Sequence, residues 1–171
     1  MSVLKIKKYG DPILRGRSLE VDKIDDDIRR LVRDMLETMY KIDGIGLAAC
    51  QVGAPKRIVV IDTSRGEDKR QAMVFMNPEI ISKKGEEISE EGCLSFVTKI
   101  KTEIKRATEV VIKAINLEGK EFKIVAKDLL ARVIQHEIDH LNGILIIDSM
   151  SFLKRLSFSK ELRELKKESC K

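Results

Sequence analysis

Asp128-Leu129-Leu130-Ala131-Arg132-Val133-Ile134-Gln135-His136-Glu137-Ile138-Asp139-His140-Leu141-Asn142 decides how this chain is read. Leu130, Val133, Ile134, Ile138 and Leu141 recur at helical spacing, and Gly143 suits the residue just past a helix C-terminus. The spacing predicts a helix over about 128–142 with an apolar stripe. The chain has two histidines, and both lie on this helix four residues apart, as His136-Glu137-Ile138-Asp139-His140. Four residues bring both imidazoles to one helix face, within reach of one metal ion, and Glu137 stands beside them as a potential base. Chance placement of two ordinary histidines is the bland alternative, and HExxH on an apolar helix is specific enough to outweigh it.

Two histidines leave such a site incomplete, because a catalytic metal of this kind usually takes three protein ligands and keeps a position open for water. After His140 the chain continues Leu141-Asn142-Gly143-Ile144 and holds no third histidine. The downstream acids Asp148, Glu161, Glu164 and Glu168 are poorly placed, most of them on the charged face of the last helix. Cys93, in Glu90-Glu91-Gly92-Cys93-Leu94-Ser95, is the better candidate: thiolate suits borderline metals, and Gly92 lets the backbone approach closely. A lone cysteine is more often a small buried hydrophobe, so the residues alone leave the third ligand open.

Outward from this helix, Ile28, Leu31, Val32, Met35, Leu36 and Met39 predict a helix over 25–39, with Asp25, Asp26 and Asp27 at its favoured acidic start. A small, glycine-rich stretch runs from Gly44 to Gly53. Strand-like runs follow at Arg57 to Asp62, Met73 to Met76 (with Pro78 expected to end it), Glu109 to Asn116 and Lys120 to Val125, the last two joined by a hairpin turn. From Met150 to about Glu168, Leu153, Leu156, Leu162 and Leu165 stand against Lys154, Arg155, Lys160, Arg163, Lys166 and Lys167, predicting one basic amphipathic helix. The expected fold is α+β, with antiparallel β-sheets around a central metal-binding helix and helices N-terminal and C-terminal to them. Residues 1–171 are expected to form a single catalytic domain.

Composition narrows the class further. Hydrophobic residues at 43% and charged residues at 36% exclude a disordered or fibrous chain. No apolar run is long enough for a membrane helix, and Met1 to Gly10 lacks the core of a secretory signal. Cys50, Cys93 and Cys170 are odd in number and scattered, which argues for a reducing compartment, the cytoplasm. The net charge of +5 is a modest surplus, read as a slightly basic solvated surface ahead of a site for an acidic partner such as ribosomal RNA, and neither a membrane partner nor sequence-specific nucleic acid binding is expected.

Three motifs in one order, Gly44-Ile45-Gly46-Leu47-Ala48-Ala49-Cys50-Gln51, Glu91-Gly92-Cys93-Leu94-Ser95 and Gln135-His136-Glu137-Ile138-Asp139-His140, closely resemble the peptide deformylases. The opening Gly10-Asp11-Pro12-Ile13-Leu14-Arg15 matches too, so the resemblance spans nearly the whole chain. It implies that Cys93, His136 and His140 hold one divalent metal ion, with water as fourth ligand and Glu137 as general acid and base. It implies that the Gln51 amide and the Leu94 N–H face the substrate oxygen, and that the Gly46 backbone helps hold the peptide. Ile45, Leu94 and Val133 are this sequence's candidates for the family's methionine pocket. The implied activity is hydrolysis of the N-formyl group from N-formylmethionyl peptides, releasing formate. The family's usual metal is Fe²⁺, and a Cys-His-His site also accepts Zn²⁺, Ni²⁺ or Co²⁺. Asp139 is a candidate partner orienting a ligand or anchoring the helix, with Arg106 as counter-charge.

Two positions depart from the family's pattern. Cys50 stands where Pro is common, either as a small buried residue or as an oxidation-sensitive thiol and competing ligand beside Gln51. Phe96-Val97-Thr98 lacks the Pro usual after the Cys motif. The basic last helix resembles the extension by which some bacterial members dock on the ribosome. Two rivals remain: a zinc endopeptidase, disfavoured by the missing His or Glu ligand, and a non-catalytic module with a structural metal, which would normally need four protein ligands.

Overall fold

A computed structural model describes residues 2–64, 71–96 and 100–169. Along the described chain one α-helix precedes seven strands and three α-helices follow them: α1 (Asp26–Lys41), β1 (Gly46–Ala48), β2 (Ile58–Ile61), β3 (Met73–Lys84), β4 (Glu87–Gly92), β5 (Lys101–Arg106), β6 (Glu109–Ile115), β7 (Glu121–Lys127), α2 (Asp128–Leu141), α3 (Phe152–Ser157) and α4 (Ser159–Ser169). Strands β1-β2-β3-β6-β7 form one antiparallel sheet, and β4 and β5 form a separate two-stranded ribbon. This is the expected α+β architecture.

Helix α1 begins where Asp25 caps it, accepting the Ile28 N–H at 3.0 Å. The run Ile58-Val59-Val60-Ile61 is buried throughout because both faces of the sheet are covered. Leu47, Ile58, Val60 and Met76 pack in one core cluster with Val32, Met35 and Met39 of α1. Their alternating neighbours Ala48, Val59, Ile61 and Phe75 pack in another with Ala131, Val133, Ile134 and Ile138 of α2. A third cluster joins Phe96, Ile100 and Ile104 to Ile146, Ile147, Leu162 and Leu165, so the ribbon and the C-terminal helices share a core. Burying these apolar side chains stabilises each contact by roughly 1.5–3 kcal/mol per large residue.

Two expectations need correction. Pro78 does not end its strand: β3 runs on to Lys84, and the register shifts between Met76 and Glu79. Asn77 adopts φ +50° there, and its side chain exchanges hydrogen bonds with Val21, so the missing proline N–H falls at an irregularity where no ladder bond is lost. The C-terminal segment, expected as one helix over 150–168, is two. Ser151 caps α3, and the chain breaks at Phe158 before α4. Leu156 and Leu162 are six residues apart, about 600° of helix rotation, so they could never share one face. Leu162 and Leu165 are buried, whereas Leu153 and Leu156 are exposed. The expectation about the missing Pro concerns Val97 and Thr98, which lie outside the described residues.

Candidate metal centre

Strand β4 ends at Gly92, and the extended chain at this end brings Glu91 and Cys93 to α2, where two repeats match. Alternate strand residues point the same way about 6.7 Å apart, and helix residues four apart are stacked about 6 Å apart. Glu91 and Cys93 therefore meet His136 and His140 in register. Glu91 Oε2 is 2.9 Å from His136 Nδ1, and Cys93 Sγ is 3.1 Å from His140 Nε2. The candidate ligand atoms of Cys93, His136 and His140 lie within 4.8 Å of one another, close enough for one ion at about 2.0–2.3 Å from each.

The protonation chemistry of this set suits a metal. Burial alone would raise the Cys93 thiol, but the charge of His140 and hydrogen bonds from His136 and His140 hold it well below its usual value, as the thiolate that ligates. Burial would lower His136, and its bonds to Cys93 and Glu91 raise it well above the usual value instead. Without an ion His136 therefore carries a proton on each ring nitrogen; with Nδ1 engaged by Glu91, an ion would take Nε2 by displacing the other proton. Burial also raises the Glu91 carboxyl, yet the bonds from His136 and Arg106 bring it down to about 2. Arg106 grips Glu91 through Nε and Nη2, at 2.9 and 3.1 Å, and reaches Asp139 with Nη1 at 2.6 Å. The expected pairing of Asp139 with Arg106 is therefore present.

Glu137, between the two histidines, is buried, and burial raises its carboxyl above the usual value against the opposing charges of His136 and His140. Among the described residues, Glu137 Oε2 and His140 Nδ1 are buried without a protein hydrogen-bond partner. Buried polar atoms in this position call for a bound ion, water or substrate. Gly46 of β1 makes room for the carboxylate: a Cβ there would lie 2.6 Å from Glu137 Oε1 and 2.7 Å from Val133 Cγ1.

A cavity of about 520 Å³ opens onto these groups, lined in part by Ile45, Gly46, Gln51, Cys93, Leu94, Val133, His136 and Glu137. Gln51 sits on the short 3-10 turn Ala49–Val52 after β1, where its Oε1 accepts the Ala48 N–H at 2.9 Å. That bond aims Nε2 at the site, 3.6 Å from Cys93 Sγ and 3.3 Å from Ser95 Oγ. All the site residues expected from the sequence thus border one cavity except His140, which lies buried behind Cys93.

Sequence reading missed two supports. Glu91 as the partner of His136 needed the ribbon's position, for which no local pattern speaks. Gln135 is buried and pins α2 to the turn after β5, accepting from Ala107 N and donating to Ala107 O. A glutamine on an otherwise apolar helix face was the signal for it. Cys50 proves to be the buried small residue: its thiol donates to His140 O at 3.4 Å, and burial pushes it up to about 12, so it is not in ligand form.

Three candidate ligands close enough to share one ion, a buried carboxylate next to them and an open cavity are the parts of a metal-dependent hydrolase. The family model for polypeptide deformylase matches residues 3–156. The peptide deformylase of Thermodesulfovibrio yellowstonii is 48% identical over 166 residues, covering 97% of this chain and 100% of the relative. That of Hamiltonella defensa is 48% identical over 167 residues, covering 98% and 96%. Among solved structures, a peptide deformylase from Legionella pneumophila superposes with a TM-score of 0.89 at 39% identity, covering 99% of each chain. One from Thermotoga maritima gives 0.82 at 41%, covering 88% of this chain and 99% of the other. The chain belongs to the polypeptide deformylase family, hydrolases that remove the N-formyl group from nascent polypeptides.

Proposed function

We propose that this chain acts as a single catalytic domain that cleaves formate from N-formylmethionyl peptides, with Cys93, His136 and His140 holding one divalent ion. The observation that carries the reading is the convergence of these three donors, with the buried Glu137 carboxylate and its unpartnered Oε2 beside them, at a cavity that Cys93, His136 and Glu137 line. When bound, such an ion lowers the pKa of coordinated water from about 16 toward 7. Glu137 accepts the proton of the water that attacks the formyl carbon, and its raised carboxyl is suited to hand that proton to the leaving amine. The formyl C–N bond breaks, the amine takes the proton, and formate departs.

Charge developing on the formyl oxygen is met by Gln51 Nε2 and the Leu94 N–H, each such donor being worth roughly 3 kcal/mol. Gly46 lets the peptide lie close to Glu137, while Ile45, Leu94 and Val133 supply apolar wall for a methionine side chain. Fe²⁺ is the ion we assign in the cell, with Zn²⁺, Ni²⁺ and Co²⁺ as substitutes a Cys-His-His set accepts. No helix among the described residues is long and apolar enough to cross a membrane. The cytoplasm is the compartment consistent with free Cys50 and Cys93. Lys160, Arg163, Lys166 and Lys167 are exposed on the C-terminal segment, and their charge supports docking on the ribosome; charge reversal there should weaken salt-dependent cosedimentation.

Formate release from a formyl-methionyl peptide by anaerobically purified protein tests the reading. Glu137→Gln should lower turnover by about 10²–10⁴-fold at unchanged metal content. Full activity in that variant would remove Glu137 from the chemistry.

A further inference from the structure

The mouth of the cavity carries charge that neither the metal chemistry nor the methionine pocket uses. Lys8 and Lys101 both line the cavity and flank the Cys93–Leu94 segment. Lys8 Nζ donates to Leu94 O at 3.0 Å, and Lys101 is the register partner of Gly92 across the ribbon. Asp43, exposed just after α1, also lines the cavity. Ile6, Ile42 and Ile45 supply apolar wall.

We propose that Lys8 and Lys101 form a cationic lip that selects substrates by charge, favouring polypeptides with an acidic side chain in the two residues after the formylated one. The inference rests on the deformylase reading and deepens it. A formylated end seated at Cys93 and Glu137 in a cavity of about 520 Å³ must leave its following residues at the mouth, beside these ammonium groups. Lys8 is half-buried and uses one of its three donors on Leu94 O, so its charge is held in place with donor capacity to spare. Lys101 meets Glu90 at 3.3 Å, but both side chains are more than half exposed. Such a pair is weak, and a substrate carboxylate exchanges readily with Glu90. Among the described residues, Lys8 and Lys101 line the cavity against one exposed acid, Asp43, and that balance sets the sign of the preference. Apolar walls focus the field of those charges on the substrate, within a Debye length of about 10 Å at moderate salt.

The test compares kcat/KM for formyl-methionyl tripeptides carrying Glu, Gln or Lys at the second or third residue, at low and high ionic strength. Metal-loaded wild type, Lys8→Met and Lys101→Met are assayed side by side. The Glu peptide should exceed the Lys peptide by about fivefold at low salt, as expected for a partly exposed charge pair. The ratio should shrink at high salt and in each variant. Because the readout is a ratio, a general loss of activity in a poorly folded variant cancels, and the salt dependence of wild type needs no variant. A ratio near one at both positions, a preference for Lys, or a ratio that both substitutions leave intact would overturn the proposal. Failure to turn over any of the peptides would instead overturn the deformylase reading beneath it.

Discussion

Glu91 Oε2 lies 2.9 Å from His136 Nδ1, and both Glu91 oxygens are gripped by Arg106, which also reaches Asp139 on the same helix as the histidine. One carboxylate thus locks the orientation of a metal-binding imidazole and ties the ribbon to α2. Glu91→Gln should weaken metal retention by about 10–100-fold, measured as metal left after competition with a chelator. Retention equal to wild type would show that His136 is oriented without Glu91.

Gly46 is a position of close approach between β1 and α2. Gly46→Ala should destabilise the protein by about 1–3 kcal/mol in urea unfolding, because the new methyl meets Val133 and Glu137. Adding Val133→Ala removes one obstacle and should recover more stability than activity, since the Glu137 carboxylate remains displaced. Equal recovery of both would argue that Glu137 tolerates the shift.

The two described thiols should react oppositely. Cys50, pushed up to about 12 by burial, stays neutral and shielded, whereas Cys93 is held as thiolate beside the histidines and borders the cavity. In a Cys170→Ser background, metal-free protein should take up one iodoacetamide label at Cys93, and metal-loaded protein none, as read by peptide mass spectrometry. Labelling of Cys50 in the folded protein would contradict its burial.

Asp148 ties the start of the chain to the segment after α2, accepting Arg15 Nη2 at 3.0 Å and the Leu145 N–H at 2.8 Å. Burial opposes its ionisation, but Arg15 and Leu145 outweigh that and hold its carboxyl below the ordinary 3.8. A depressed carboxyl contributes stability that is fully present above its unfolded value and lost as pH falls through the folded one. Asp148→Asn should cost about 0.5–1 kcal/mol near neutrality, discounted for exposure, a shift in Tm of roughly 2–3 °C. That gap should close as the pH falls below 3.8. A gap undiminished in acid would mean that the ion pair is not its source.

What the sequence determined by itself is local. Helix α2, the placing of His136 and His140 on one face with Glu137 beside them, and α1 with its acidic start follow from a periodicity of 3.6, and β2, β6 and β7 from short apolar or alternating runs that each segment carries alone. The third ligand was different in kind. Cys93 follows a strand whose residues, Glu87-Ile88-Ser89-Glu90-Glu91-Gly92, are too polar to read as one, and its candidacy rested on family resemblance until β4 was seen against α2. Only tertiary structure decided that Glu91 and Cys93 meet His136 and His140, that Arg106 closes the network, that β3 continues through Pro78, and that the C-terminal segment breaks at Phe158. The reason is that local propensity sets which face a residue takes on its own element, whereas contacts between residues 45 and 47 positions apart depend on how separate elements share a core.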